Sequence, residues 1–163
     1  MRKAGDVILS GLLACFVGVV YFAAEVIYKT ARGRPEDISW TMLALALLIG
    51  LVLERCGAEL PWRCPLWAQA LACGLAITAA ELCAGIVLNL WLGLGVWDYS
   101  HLPGNLWGQV CPQFAALWCV VSGPAIVLLD WMRYAVRGGE RPHYIWICPM
   151  GRKGRKTWRK RYK

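Results

Sequence analysis

The chain has 163 residues, of which 58% are hydrophobic and only 17% charged, and its net charge is +8. This composition excludes a disordered chain, which needs low hydrophobicity and high charge, and it is too apolar for an ordinary small soluble domain. It predicts an all-α, polytopic membrane protein.

Four apolar segments predict transmembrane helices, at about residues 7–28, 38–53, 66–94 and 110–129. Because about 20 helical residues cross a hydrocarbon core of about 30 Å, the second segment is short for one crossing and the third is longer than needed. We therefore predict a helical bundle over residues 1–134. Residues 135–163 are predicted to form a basic cytoplasmic tail, which we expect to be mobile.

The distribution of basic residues predicts the orientation of these helices. With both termini inside a bacterial cell membrane, fifteen of the eighteen Lys and Arg residues are cytoplasmic and three are outside. Cytoplasmic loops carry an excess of Lys and Arg, so this orientation is favoured. The three basic residues of the first loop do not fit this orientation, because it places them outside. If residues 38–53 do not span, that loop stays inside and the N-terminus lies outside.

Glu81 lies near the middle of the third predicted helix, where an acidic side chain costs about 2.5–3.5 kcal/mol to insert. It therefore needs a hydrogen-bond partner, a nearby charge or water. Gly74, Thr78, Gly85 and Asn89 share its face at helical spacing. This face is either a packing surface with a hydrogen-bonded Glu81, or a site where Glu81 takes up a proton or a ligand.

Glu25 lies near the outer end of the first predicted helix, on a face that also carries Gly11 and Gly18. Lys29 follows four residues later, which is the spacing of a helical ion pair. We expect this pair to be structural, with a functional carboxylate near the membrane surface as the alternative.

The segment before the last helix, Trp97 to Gln109, contains no Lys or Arg but many other polar side chains between aromatic residues. Its turn-forming and interfacial residues predict an interfacial or partly re-entrant segment over the bundle. Asp98 and His101 could act as acid and base, or Asp98 could hydrogen-bond its own backbone. The candidate functional residues are Glu25, Glu81, Asp98, Tyr99, His101, Asn105 and Gln109.

The sequence offers no pattern for a metal ion or another cofactor. It has eight Cys but no C-x-x-C motif, and only two His residues, which does not suit a zinc cluster. A glycine-rich basic stretch at residues 151–157 has the wrong spacing for a phosphate loop. We therefore predict neither a metal nor a cofactor, and no catalytic residue is assigned.

Several motifs together resemble a known family. They are Thr78-x-x-Glu81, Trp97-Asp98-Tyr99-Ser100, Pro103-x-Asn105, Gly108-Gln109-Val110-Cys111 and Trp118. They resemble the signature of the putative ABC-transporter type IV membrane proteins, small multipass proteins found chiefly in Firmicutes, over about residues 75–145. The resemblance implies a bacterial permease-like protein with Glu81, Asp98, Tyr99, Asn105 and Gln109 at motif positions.

Three functions follow as hypotheses. The leading one is a non-enzymatic membrane protein, a permease-like or accessory transporter subunit, acting as a homo-oligomer or with a separate ATPase or membrane subunit. The second is a membrane-embedded enzyme or lipid-handling protein that uses Asp98, His101 and Glu81. The third is a scaffold acting through its basic tail, for which anionic lipid is a better partner than nucleic acid.

Overall fold

The structure is a computed structural model that describes residues 4–33, 35 and 38–146. Over these residues the chain is all-helical and has no strand. Helix α1 spans Ala4–Ala31, α2 spans Trp40–Glu59, α3 spans Leu66–Gly85 and α4 spans Pro112–Arg137. A π-helix, Ile86–Trp91, continues α3 directly. All four helices are long and apolar enough to cross a membrane, which confirms the predicted fold class.

Two helices extend well beyond their predicted ends. The apolar pattern stops where charged residues begin, but a buried ion pair balances charges in these two extensions and the helices continue. The prediction ended α2 at residue 53, whereas the helix continues to Glu59. It ended the last helix at residue 129, whereas α4 continues to Arg137. Glu54 and Arg133, in these two extensions, form an ion pair with each other.

The helices run up and down in sequence and pack as two hairpins. Helix α1 packs along α2, α3 packs along α4, and α2 also contacts both members of the second pair. One end of the bundle holds the starts of α1 and α3 and the ends of α2 and α4, and we call it the tail end. The opposite end, where the loop before α4 lies, is the cap end.

Small residues allow the backbones to approach closely within each hairpin. A Cβ on Gly18 of α1 would lie 2.8 Å from the carbonyl oxygen of Ala46 in α2, and one on Gly50 would overlap the carbonyl oxygen of Ala14. In the second hairpin, a Cβ on Gly74 would lie 2.6 Å from the backbone of Cys119. Transmembrane helices associate through such small-residue contacts, because lipid offers no hydrophobic drive for association.

Residues that follow α4 fold back over the tail end. The Tyr144 hydroxyl donates to Asp130 at 3.0 Å, and the His143 ring stacks on Trp62 at 4.9 Å. The backbone N–H of Leu66 donates to the Ile145 carbonyl. The first part of the predicted tail, up to residue 146, therefore packs against the bundle. Residues 147–163, which include most of the tail's basic residues, lie outside the described residues.

Candidate functional site

Residues 97–109, which we call the cap, form a compact loop over one end of the bundle. Asn105 organises it from within, since its amide donates to the Ser100 and Leu102 carbonyls and its oxygen accepts from the Gly108 N–H. Gly108 has a φ of +70°, which favours glycine, and a Cβ there would lie 2.8 Å from an Asp98 carboxylate oxygen. The cap is therefore a defined structure.

Amide side chains fasten the cap to α3 and its π-helix. Asn89 donates to the Trp97 carbonyl at 3.0 Å and to Gln109 Oε1 at 2.7 Å, and its own oxygen accepts from the Val96 N–H. Gly85 leaves the space that Gln109 fills, because a Cβ on Gly85 would lie 2.5 Å from Gln109 Oε1. The wide π turn presents Asn89 to the cap, and such turns frequently occur at functional sites.

Glu81 lies beneath the cap, inside the bundle, with 4% of its surface exposed. Its Oε1 accepts from the Tyr99 hydroxyl at 3.2 Å, and its Oε2 accepts from Trp118 Nε1 at 3.1 Å. The Tyr99 ring is held by stacking on Phe114, with ring centroids 4.7 Å apart. One carboxylate thus joins α3, α4 and the cap.

Helix α1 adds an acidic and a phenolic side chain on the same side of the bundle. The Tyr21 ring meets Trp118 edge-on, with centroids 5.2 Å apart. Glu25, one helical turn later, pairs with Lys29 at 3.4 Å, as the spacing predicted. Burial raises the pKa of the Tyr99 hydroxyl well above its usual range, and the nearby carboxylates of Glu81 and Glu25 raise it further. The Tyr99 hydroxyl therefore stays protonated and acts as a donor.

Asp98 and His101 lie on the exposed side of the cap, away from the bundle interior. Both Asp98 oxygens accept from Ser100, one from its N–H at 2.7 Å and one from its hydroxyl at 2.9 Å. These bonds, with a smaller contribution from His101, hold the pKa of Asp98 below its ordinary value. Asp98 thus stabilises a turn, as the structural alternative for this residue predicted.

The structure brings some of the predicted site residues together and separates others. Tyr99 donates to Glu81, and Gln109 packs against Gly85, one helical turn further along α3. Glu25 lies on α1, where it pairs with Lys29. Asn105 makes its hydrogen bonds within the cap. Among the described residues, no group of three His, Cys, Asp or Glu side chains could hold a metal ion.

A second polar cluster, at the tail end, was not recognised from the sequence. Arg133 pairs with Glu54 and also donates to Ser10 of α1. Glu54 Oε2 is buried and, among the residues that the structure describes, has no hydrogen-bond partner. Nearer the end of the bundle, Arg137 pairs with Asp6. The three-residue and four-residue spacing of charged side chains from residue 130 to 137 is helical, and this spacing could have indicated that α4 continues.

A family model described as putative ABC-transporter type IV matches residues 4–137 of the chain. The protein belongs to this family. The match includes all four helices, the cap and both polar clusters. No curated protein and no solved structure matches the chain. Membership of the ABC-transporter type IV family, together with four helices able to span a bilayer, identifies a multipass membrane protein and fits a transporter component.

Proposed function

We propose that this protein is a non-enzymatic membrane subunit of a transporter, either permease-like or accessory, in which Glu81 couples the cap to the helices. Its family and its four apolar helices support a place within a transporter. The sequence has no phosphate loop, so a separate ATPase subunit would supply ATP hydrolysis.

The observation that carries this proposal is the double hydrogen bond to the buried Glu81 carboxylate. An ionisable side chain inside a membrane bundle is costly and rare, and it is by default a candidate for a functional site. Here the carboxylate ties a loop at the membrane surface to two transmembrane helices. A movement of the cap would therefore change the hydrogen bonding of Glu81, and a change at Glu81 would loosen the cap.

The proposal includes an orientation, with both termini on the cytoplasmic side of a bacterial membrane. The tail end would then carry fifteen of the eighteen Lys and Arg residues, as cytoplasmic segments do. The cap would face outward, and an ATPase would meet the tail end. Anionic lipid at the basic C-terminal segment is compatible with this orientation.

The arrangement of Asp98 and His101 does not favour the enzymatic alternative. Asp98 uses both oxygens within its own turn, and Glu81 is buried beneath Tyr99. Asp98 and His101 are exposed, whereas Glu81 lies inside the bundle, and this separates the side chains that an acid–base mechanism would need together.

Gentle extraction of the native protein, followed by mass spectrometry of the intact particle, tests the proposal. We expect a stoichiometric complex with an ATPase or a second membrane subunit, and ATP hydrolysis by that complex. Glu81→Gln should preserve the complex but alter its hydrolysis rate, because glutamine has one acceptor oxygen for two donors.

Two results would contradict the proposal. A monomer or homo-oligomer without any partner subunit would remove the transporter role. An unchanged hydrolysis rate in a correctly assembled Glu81→Gln complex would show that the buried carboxylate only holds the fold together.

A further inference from the structure

Two cysteine side chains meet where the first hairpin packs on the second. Cys56 lies on α2, three residues before the helix ends, and Cys73 lies on α3, seven residues after that helix begins. Their thiols are hydrogen-bonded to each other. Cys56 also packs against the hydrophobic core that contains Cys73. Because α2 and α3 belong to different hairpins, this contact connects the hairpins in the tail half of the bundle.

The contact between two thiols distinguishes this pair from other cysteines of the bundle. Cysteine inside a helical bundle usually packs as a small apolar residue. Cys15 is exposed on α1, and the Cys119 sulfur lies 3.9 Å from the Leu71 carbonyl oxygen. Cys56 and Cys73 instead have each other as partners. Two adjacent thiols have a reaction that neither has alone, since their joint oxidation gives a disulfide.

The two thiols differ in their access to an oxidant. Cys73 has none of its surface exposed, whereas Cys56 is half-buried. An oxidant from outside the bundle therefore reaches Cys56 first, and Cys73 is placed to react with the oxidised sulfur. Hydrogen peroxide is a suitable oxidant, because it is small and uncharged and can enter a bilayer.

We propose that Cys56 and Cys73 are a redox-sensitive pair, which hydrogen peroxide converts into a disulfide between the hairpins. The Cys56 thiolate attacks one peroxide oxygen, so that an S–O bond forms and the O–O bond breaks. The departing hydroxide takes up the proton that the thiol released and becomes water. The Cys73 sulfur then attacks the sulfenic acid on Cys56, which forms the S–S bond and releases a second water. The two sulfurs together lose two electrons, and the peroxide gains them.

The disulfide would restrict movement between the hairpins. In the reduced chain, the covalent connection between the hairpins is the turn at residues 60–65. The close glycine contacts of Gly18, Gly50 and Gly74 lie within each hairpin. A bond between Cys56 and Cys73 would therefore fix α2 against α3. In a reducing compartment the pair stays as thiols until an oxidant arrives, as in other transient, redox-sensing disulfides.

The test treats the detergent-purified protein with hydrogen peroxide, alkylates the remaining thiols, and digests the chain with trypsin in denaturant without reduction. Cleavage after Arg55 and Arg63 releases Cys56 in the peptide 56–63. In the wild type, we expect this peptide to stay linked to the fragment that contains Cys73, with two hydrogens fewer than the separate peptides. Cys73→Ala should abolish the link and leave a sulfenic acid on Cys56, which dimedone traps.

Cys64→Ser is the matched control, because Cys64 begins the same tryptic fragment as Cys73 but lies in the turn between the helices. This variant should keep the link. Each variant must elute as wild type on gel filtration, so that misfolding is not mistaken for a lost contact. Hydrogen exchange measures the effect on movement: oxidation should slow exchange in the tail halves of α2 and α3 of the wild type, and should not slow it in Cys56→Ser.

Three results would overturn the proposal. The first is full alkylation of Cys56 in the peroxide-treated wild type. The second is a link that persists in Cys73→Ala, or one that joins two separate chains, because Cys56 would then have a different partner. The third is equal hydrogen exchange in the oxidised and reduced wild type, which would show that the disulfide does not restrict the hairpins.

Discussion

Replacing Arg133 with glutamine removes the cation that Glu54 meets inside the tail end of the bundle. The Glu54 side chain is 1% exposed and that of Arg133 is 9% exposed, so water cannot take the place of the lost partner. Within the part of the chain that the structure describes, Glu54 Oε2 already has no hydrogen-bond partner, so no second bond there offsets the loss of Arg133. Breaking a buried pair by removing one member typically costs about 3–5 kcal/mol.

That cost corresponds to roughly two to three and a half powers of ten in the unfolding equilibrium, at 1.4 kcal/mol per tenfold change. Reversible unfolding in mixed detergent micelles, followed by circular dichroism, measures it. Glu54→Gln should give a loss of the same order. The double replacement of Glu54 and Arg133 by methionine should lie within about 1 kcal/mol of wild type, because it removes both charges at once.

The pair of Arg137 with Asp6 is the internal control for this prediction. These side chains are 34% and 31% exposed, so solvent screens them and their separation should cost about 1 kcal/mol or less. The reasoning would be refuted if Arg133→Gln cost no more than Arg137→Gln. It would also be refuted if the double methionine variant lost the full sum of the two single losses.

Three further predictions concern the helix contacts and the cap. Gly50→Ala should destabilise the protein by about 1–3 kcal/mol in the same unfolding assay, because its Cβ meets backbone, whereas Gly11→Ala meets nothing within 4 Å and should not. Tyr99→Phe removes a donor from Glu81 and should cost about 1–3 kcal/mol, with faster hydrogen exchange in the cap. The pKa of Asp98 is lower in the folded protein than its ordinary value of about 3.9, so the charged carboxylate stabilises the folded cap at pH values above that ordinary pKa. This stabilisation is lost as the pH falls through the lower folded pKa. Cap exchange should therefore speed up only below about pH 4 in wild type, and Asp98→Asn should lack that step.

The apolar pattern predicted the number and type of helices, because the length needed to cross a bilayer leaves few alternatives. It could not predict where α2 and α4 end. Because Glu54 is charged, the neighbouring sequence indicates that an apolar segment ends there. Its partner Arg133 lies 79 residues further along the chain. The apolar pattern contains no information about such a contact, so both helices were predicted too short from it.

In the candidate site, too, features that depend on neighbouring residues could be predicted, and contacts between distant residues could not. The spacing of Glu81 and Asn89 placed both residues on one face of a helix, and the structure aims both toward the cap. The identity of the donors to Glu81 depends on how the cap folds back, which spacing alone does not show. The sequence analysis recognised Trp118 only as part of a family motif.

The hydrogen bonds to Glu81 also constrain how the protein enters the membrane during synthesis. Tyr99 follows Glu81 by 18 residues and Trp118 follows it by 37. At 5–20 residues per second, the ribosome delivers Trp118 about 2–7 s after Glu81. During that interval the third helix carries an acid without its final partners, so it should remain at the insertion machinery until the fourth helix arrives. The second hairpin should therefore leave the translocon as a unit.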